Sequence, residues 1–196
     1  MSFRSETKFR LSYGDKYLLK SNLLSLGMKQ LYPSRFINSQ YFDTEKLKMF
    51  FDSEEGIVPR KKIRVRWYHK KQEKNLETKI SSNEGRFKIK KKYVSSLNSQ
   101  FVYDRLYGKI FPSILVNYKR EYYNFKNLRL TFDSSINYTN LRNQNLKMIN
   151  DRETVLEVKT NHLNSYDYIS KFISCSTSRF SKYSRGIQLT KLIQKI

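Results

Sequence analysis

Period-two alternation recurs along this chain, and it commits the fold to a sheet whose strands carry one apolar and one ionic face. In "KKIRVRWY" (61–68) Lys62, Arg64 and Arg66 fall on one side, with Ile63, Val65 and Trp67 on the other. "FRSETKF" (3–9) sets Arg4, Glu6 and Lys8 against Ser5, Thr7 and Phe9. "NLETKI" (75–80) places Glu77 and Lys79 opposite Leu76, Thr78 and Ile80. "GRFKIKKKY" (85–93) aligns Arg86, Lys88 and Lys90 opposite Phe87 and Ile89. "ILVNYKREYY" (114–123), "LRLTFD" (128–133) and "TVLEVKT" (154–160) continue the habit, the last setting Glu157 and Lys159 against Leu156 and Val158. About eight short strands of this kind predict a sheet-dominated α+β fold.

Helical spacing is rarer. "DKYLLKSNLLSLG" (15–27) starts on an Asp able to cap, spaces Leu19, Leu23 and Leu26 helically, and stops on Gly27. "DTEKLKMFFDSEEG" (43–56), "NSYDYISKFIS" (164–174) and the closing "IQLTKLIQKI" are further helix candidates, expected to pack outside the sheet. The polar stretches 94–100 and 137–152 read as loops. With six Gly and three Pro there is little material for a linker, so residues 1–196 are expected to form one domain.

Charge narrows the function. Lys plus Arg number 39 against 17 Asp plus Glu, a formal net charge of +22, and such self-repulsion calls for an anionic partner. Nucleic acid, a polyanionic small molecule and an acidic membrane surface all meet that demand, and charge alone does not choose among them. The single Cys175 excludes an intramolecular disulfide and a multi-cysteine metal site. His69 and His162 are too few for a zinc centre. No apolar run reaches the roughly 20 residues needed to span a bilayer, and the N-terminus lacks an apolar signal core. The expected setting is soluble, reduced and cytoplasmic, with any membrane association made through a partner.

On one strand taken alone, an ionic face is most simply a wet face. Repetition weakens that reading, because these faces are rich in Arg and in Glu/Lys pairs rather than in mixed polar residues. Ionic faces turned into a closed barrel would repel one another strongly at low dielectric. A polyanion with a divalent cation would neutralise them through Arg forks and Lys ammonium groups.

The motifs "RSETKF", "NSQYFDTEKLKMFF", "RKKIRVRWY", "LETKIS", "VNYKREYY", "LRLTFD", "TVLEVKT" and "RFSKYSRG", in this order from residue 4 to about 186, resemble the VTC domain. This is the catalytic domain of vacuolar transporter chaperone polyphosphate polymerases, within the triphosphate tunnel metalloenzyme (CYTH-like) superfamily. The resemblance implies an eight-stranded antiparallel β-barrel, a tunnel with helices packed outside, that takes up the triphosphate of a nucleotide. By motif, Lys8, Arg64, Arg66, Lys79, Arg120 and Arg129 would contact phosphate and serve catalysis. Glu157 resembles the metal-binding glutamate, with Lys159 beside it. Ser181 and Lys182 match the phosphate-contacting pair of "RFSKYSRG", and Arg179 stands where a Lys is also found.

One departure separates branches of the superfamily. Hydrolytic members open on E-x-E-x-K, whose carboxylates bind metal; here Arg4 holds the first acidic position and Glu6 the second. That favours a polymerase, with Glu6 retained as a second metal ligand. The implied activity is metal-dependent transfer of the ATP γ-phosphate to inorganic polyphosphate, with Mn2+ favoured over Mg2+. A membrane protein that takes up the chain, as in the family's eukaryotic members, is the implied partner; nucleic acid is disfavoured. Against this stand a triphosphatase of the same superfamily and a nonenzymatic binder of RNA or polyphosphate.

The remaining candidates read as structural. His69 belongs to a polar turn, Cys175 to packing, and "DRE" (151–153) to a loop before a strand. Asp133 shares the face of Arg129, where an ion pair is favoured over metal binding. "KIKKKY" is either an extension of the tunnel mouth or a wet edge.

Overall fold

The alternation over 61–68 is realised as strand β3, Arg60–Tyr68, with Ile63 and Val65 buried and Lys62, Arg64 and Arg66 on the opposite face. A computed structural model describes residues 5–69, 73–94, 101–143, 146–161 and 165–192. Arg4, His162, the segment 95–100 of the first polar stretch and the closing residues 193–196 therefore lie outside the described residues. The strands follow the order β1-β10-β8-β7-β2-β3-β4-β5, with β6 (Val102–Asp104) paired to β7 and β9 to β8. The described pairings are antiparallel. Two compact units emerge, and strands β2 (Lys29–Asp43), β7 (Gly108–Phe125) and β8 (Leu128–Asn140) contribute residues to both.

The first unit comprises residues up to Phe36, Tyr118–Ile136 and Asn150–Phe180. In it β1 (Ser5–Leu11) pairs with β10 (Thr154–Thr160), which pairs with β8. Phe9, Leu130, Phe132, Leu156 and Val158 share an apolar core with Leu23 of α1 (Tyr13–Ser25) and Ile169 of α3 (Ser165–Ser170). Truncating a ring such as Phe132, fully buried, would cost about 3–5 kcal/mol. Helix α1 begins two residues earlier than the expected Asp15, because Ser12 is the cap. Its hydroxyl accepts from the Asp15 N–H at 3.1 Å while the Asp15 carboxylate accepts from the Ser12 N–H at 3.2 Å, a reciprocal capping box. The tight turn from β7 to β8 falls on Lys126 and Asn127, both at positive φ (43° and 63°) as a type I′ hairpin requires.

The second unit comprises Ile37–Asn117, Asn137–Ile149 and the residues from Ser181 on. Strands β2, β3, β4 (Asn75–Ser82) and β5 (Gly85–Lys92) run side by side. Ile63 and Val65 pack with Phe42, Tyr107, Ile110 and Met49 of α2 (Lys48–Glu54). Helix α2 is half the length expected from 43–56, because Asp43 ends β2 and caps α2 from outside. Its carboxylate accepts from the N–H groups of Thr44 (2.7 Å), Met49 (2.9 Å) and Phe50 (2.9 Å). The stretch 137–152, expected as loop, instead holds the end of β8 and the short β9 (Met148–Asn150). Tyr138, wholly buried, anchors it there.

Helix α4, Lys182–Leu189, starts five residues before the expected "IQLTKLIQKI". Ser181 caps it, accepting from the Ser184 N–H at 3.4 Å. Unlike α2, it lies on the ionic side of its strands: Tyr183 stacks on Tyr41 at 5.2 Å, and Tyr41 is the cross-strand partner of Arg64. Gly186 permits this seat, since a Cβ there would meet Tyr138 at 2.8 Å and Ile114 at 2.9 Å. Among the described residues no helix is long and apolar enough to cross a membrane.

Candidate active site

Each unit gathers an ionic cluster on one face of its strands. In the first unit, register alone makes the pairs: Glu6 lies opposite Lys159, Lys8 opposite Glu157, and Lys159 opposite Arg129. Lys159 Nζ bridges the two carboxylates, 2.9 Å from Glu157 and 3.3 Å from Glu6, and Lys8 Nζ stands 3.2 Å from Glu6. Arg120 of β7 reaches Asp133 through a two-point contact at 2.5 and 2.6 Å. Asp133 thus forms an ion pair, with Arg120 rather than with the neighbouring Arg129. Arg120, Arg129, Thr131, Glu157 and Lys159 line a cleft of about 80 Å³.

Charge states follow from these contacts. Burial alone would raise the Glu157 carboxyl, but Arg120, then Lys159 and Lys8, hold it well below the usual carboxylate range. Burial works to lower the Lys159 ammonium, and Glu157 and Glu6 outweigh it and push it up. The Glu157 carboxylate is therefore ionised and acceptor-only. The Thr131 hydroxyl, buried in the same cleft, has no hydrogen-bond partner among the described residues.

In the second unit, arginines dominate. Glu77 accepts from Arg64 Nε and Nη2 at 2.9 and 2.6 Å and from Lys88 at 2.7 Å, and lies 3.7 Å from Arg66 Nη1. Burial pushes its carboxyl up, but Arg64, Arg66 and Lys88 draw it down to about 2. Arg64 also donates to the Tyr41 hydroxyl at 2.8 Å, and Arg66 to Ser39 at 3.3 Å. Lys62 donates to the Ser181 hydroxyl at 3.0 Å. Arg66, Tyr68, Asn75, Glu77, Lys88 and Lys90 line a cleft of about 180 Å³. Register here sets like charges side by side, with Lys79 between Lys62 and Lys88, an arrangement that costs stability.

The sequence-derived candidates divide accordingly. The structure brings Glu6, Lys8, Arg120, Arg129, Glu157 and Lys159 together in the first unit. In the second, Arg64, Arg66, Lys79, Ser181 and Lys182 share the ionic face or its helix. Arg179 is exposed and lines neither cleft. Glu153 is held by Arg10 at 2.7 and 2.5 Å and is a structural partner. His69 is exposed, and Cys175 packs against the first core. Tyr41, Tyr183, Asp43 and Thr131 were missed: tyrosines in an aromatic-rich chain read as core, and Asp43 read as helix. The one sequence signal near them was the place of Tyr41 in the motif "NSQYFDTEKLKMFF".

The residues present suit a hard divalent cation. Among the described residues no group of three or more His, Cys, Asp or Glu side chains forms a metal cage. Glu157 and Glu6 supply carboxylate oxygens, and the unpartnered Thr131 hydroxyl stands beside Glu157. Two carboxylates, with the remaining positions filled by substrate oxygens and water, is how Mg2+-like ions are commonly held at phosphate sites.

Comparison with solved structures defines the class. The chain matches a protein from Pyrococcus horikoshii with a TM-score of 0.57, at 13% identity over 92% of this chain and 98% of the other. A candidate adenylate cyclase from Bacillus halodurans gives 0.59 at 14% identity, covering 92% and 96%. A candidate adenylyl cyclase from Hippeastrum, described as having a dominant triphosphatase activity, gives 0.52 at 14% identity, covering 95% and 96%. At such identities the likeness is one of fold, that of the CYTH-like triphosphate tunnel proteins, a curled antiparallel sheet with few helices. Among curated protein sequences nothing matches. The VTC domain model matches residues 3–110 and 95–191, and the chain belongs to the VTC domain family.

Proposed function

We propose that this protein is a polyphosphate polymerase that transfers the γ-phosphate of ATP to an inorganic polyphosphate chain, with a divalent cation, Mn2+ in preference to Mg2+. The match to the VTC domain family over nearly the whole chain carries this reading. Phosphoryl transfer of this kind demands charge neutralisation and alignment more than covalent help, and the ionic clusters offer both. The acceptor phosphate is already anionic, so no general base is needed.

Glu157 and Glu6 would hold the cation, which when bound would supply charge neutralisation to the phosphate. Lys8, Lys159, Arg120 and Arg129 surround those carboxylates and offer donors to phosphate. Arg64 and Arg66 present guanidinium forks that both lie against Glu77. Exchange of Glu77 for phosphate oxygens on that fork would keep both arginines paired throughout. Lys79, Ser181 and Lys182 add further donors.

Incubation of the protein with ATP and Mn2+, followed by chromatography, tests the proposal: long acid-labile chains are expected. Orthophosphate as the sole product would sink it and favour the second reading, a triphosphatase. That reading draws on the retained Glu6 and on the activity described for the Hippeastrum structure.

A further inference from the structure

Tyr41 occupies a position that phosphate binding by itself does not require. It is 6% exposed, faces Arg64 across the β2–β3 register and accepts from Arg64 Nη1 at 2.8 Å. The Arg64 guanidinium carbon also lies 5.6 Å from its ring centre. Arg66 adds positive potential from β3 and Lys182 from α4. On its other side the ring is fixed by Tyr183 of α4, nearly parallel at 26°. Tyr183 is itself committed, donating its hydroxyl proton to Asp43. Burial and Asp43 keep the Tyr183 phenol protonated well above the ordinary tyrosine range.

The two stacked rings therefore have opposite fates. A neutral Tyr41 accepts from Arg64 and keeps one O–H to donate, and beside two arginines the natural acceptor is a phosphate oxygen. An ionised Tyr41 has no donor and is itself an anion paired with Arg64.

We propose that the Tyr41 hydroxyl is a proton-operated phosphate contact: as a phenol it donates to a bound polyphosphate oxygen, and as a phenolate it competes with phosphate for Arg64 and Arg66. This inference rests on the phosphate-binding role proposed for those arginines. Its range is physiological, because burial would raise the phenol but Arg64, Arg66 and Lys182 draw it down to about 7. A phosphate chain arriving above that pH brings negative potential, raises the phenol again, and makes Tyr41 take up one proton from solvent.

Tyrosinate absorbance followed from pH about 6 to about 9 reads the group directly. Wild type is expected to show a step of one tyrosine near pH 7, absent in Tyr41→Phe, shifted upward in Lys182→Met, and shifted upward by at least about one pH unit with saturating inorganic tripolyphosphate. Calorimetric titration with tripolyphosphate in buffers of different ionisation enthalpy is expected to show uptake of one extra proton in wild type above pH 7. Between pH about 7 and 8.5, a one-unit shift should lower affinity about fourfold in wild type relative to Tyr41→Phe. A step that persists in Tyr41→Phe, or that tripolyphosphate leaves in place, would overturn the inference. Binding with the same pH dependence in both proteins overturns this inference alone, whereas no binding of tripolyphosphate even at pH about 6 overturns the phosphate-binding role as well. The Lys182→Met shift gives the same readout should Tyr41→Phe fail to fold.

Discussion

The two ionic clusters are built from similar residues but balanced differently. In the first unit cations and carboxylates nearly match: Lys8, Lys159, Arg120 and Arg129 stand among Glu6, Glu157 and Asp133. In the second, Lys62, Arg64, Arg66, Lys79, Lys88 and Lys90 share a face of β3, β4 and β5, on which Glu77 is the one carboxylate among the described residues. A balanced cluster is stable without ligand and leaves ionised carboxylates available to a cation. An unbalanced one holds a cationic surplus suited to a polyanion. On the proposed reading, the cation would belong to the first unit and the greater share of phosphate charge to the second.

Removing one carboxylate from each unit is the strongest way to break this contrast. Glu157→Gln is expected to lower turnover by about 10³-fold at saturating ATP. Glu77→Gln, which only releases Arg64 and Lys88 from a partner, should cost about tenfold; equal losses in phosphate-release and chain-synthesis assays would erase the distinction. Next in size is Asp133→Ala. Asp133 has no exposed surface, and its loss leaves the Arg120 guanidinium buried and unpaired, a destabilisation of about 3–5 kcal/mol in urea unfolding.

A milder effect is expected at α4. Gly186→Ala forces a methyl group against Tyr138 and Ile114 and should cost about 1–3 kcal/mol by the same measurement, while no change would show that α4 is not firmly seated. Acid should also bear on the clusters. Glu77 is drawn below its ordinary 4.5 to about 2, so its contribution is complete above about 4.5 and is lost as pH falls towards 2. Thermal melts across that window should show a shallower acid slope in Glu77→Gln than in wild type. Smallest is Ser12→Ala, which removes one half of the α1 capping box and should cost about 1 kcal/mol.

How much was legible in advance depended on whether a signal was periodic. The strands β1, β3, β4, β5 and β10 follow from alternation, because a pleated strand sends successive side chains to opposite faces whatever surrounds it. Strand β2 was not legible as such: Pro33 interrupts it, and its first eight residues, Leu31, Tyr32 and Phe36 among them, are exposed and show no alternation of apolar and polar faces. The helix ends shifted for a related reason. Ser12 and Ser181 cap through side-chain oxygens only once the neighbouring strands fix the chain path, and Asp43 caps a helix that starts five residues beyond it.

The ionic faces, and with them Glu6, Lys8, Arg64, Arg66, Glu157 and Lys159 as neighbours on strands, were determined by the sequence, since charge and period are local properties. Tertiary structure decided which charges meet. Pairing register, not sequence spacing, puts Lys8 beside Glu157 across 149 positions and Arg120 rather than Arg129 on Asp133. It also turned Tyr41 from one of 15 tyrosines into a ring held between Arg64 and Tyr183. A hydroxyl's proton affinity depends on the potential of groups brought near it by folding, and no local pattern carries that information.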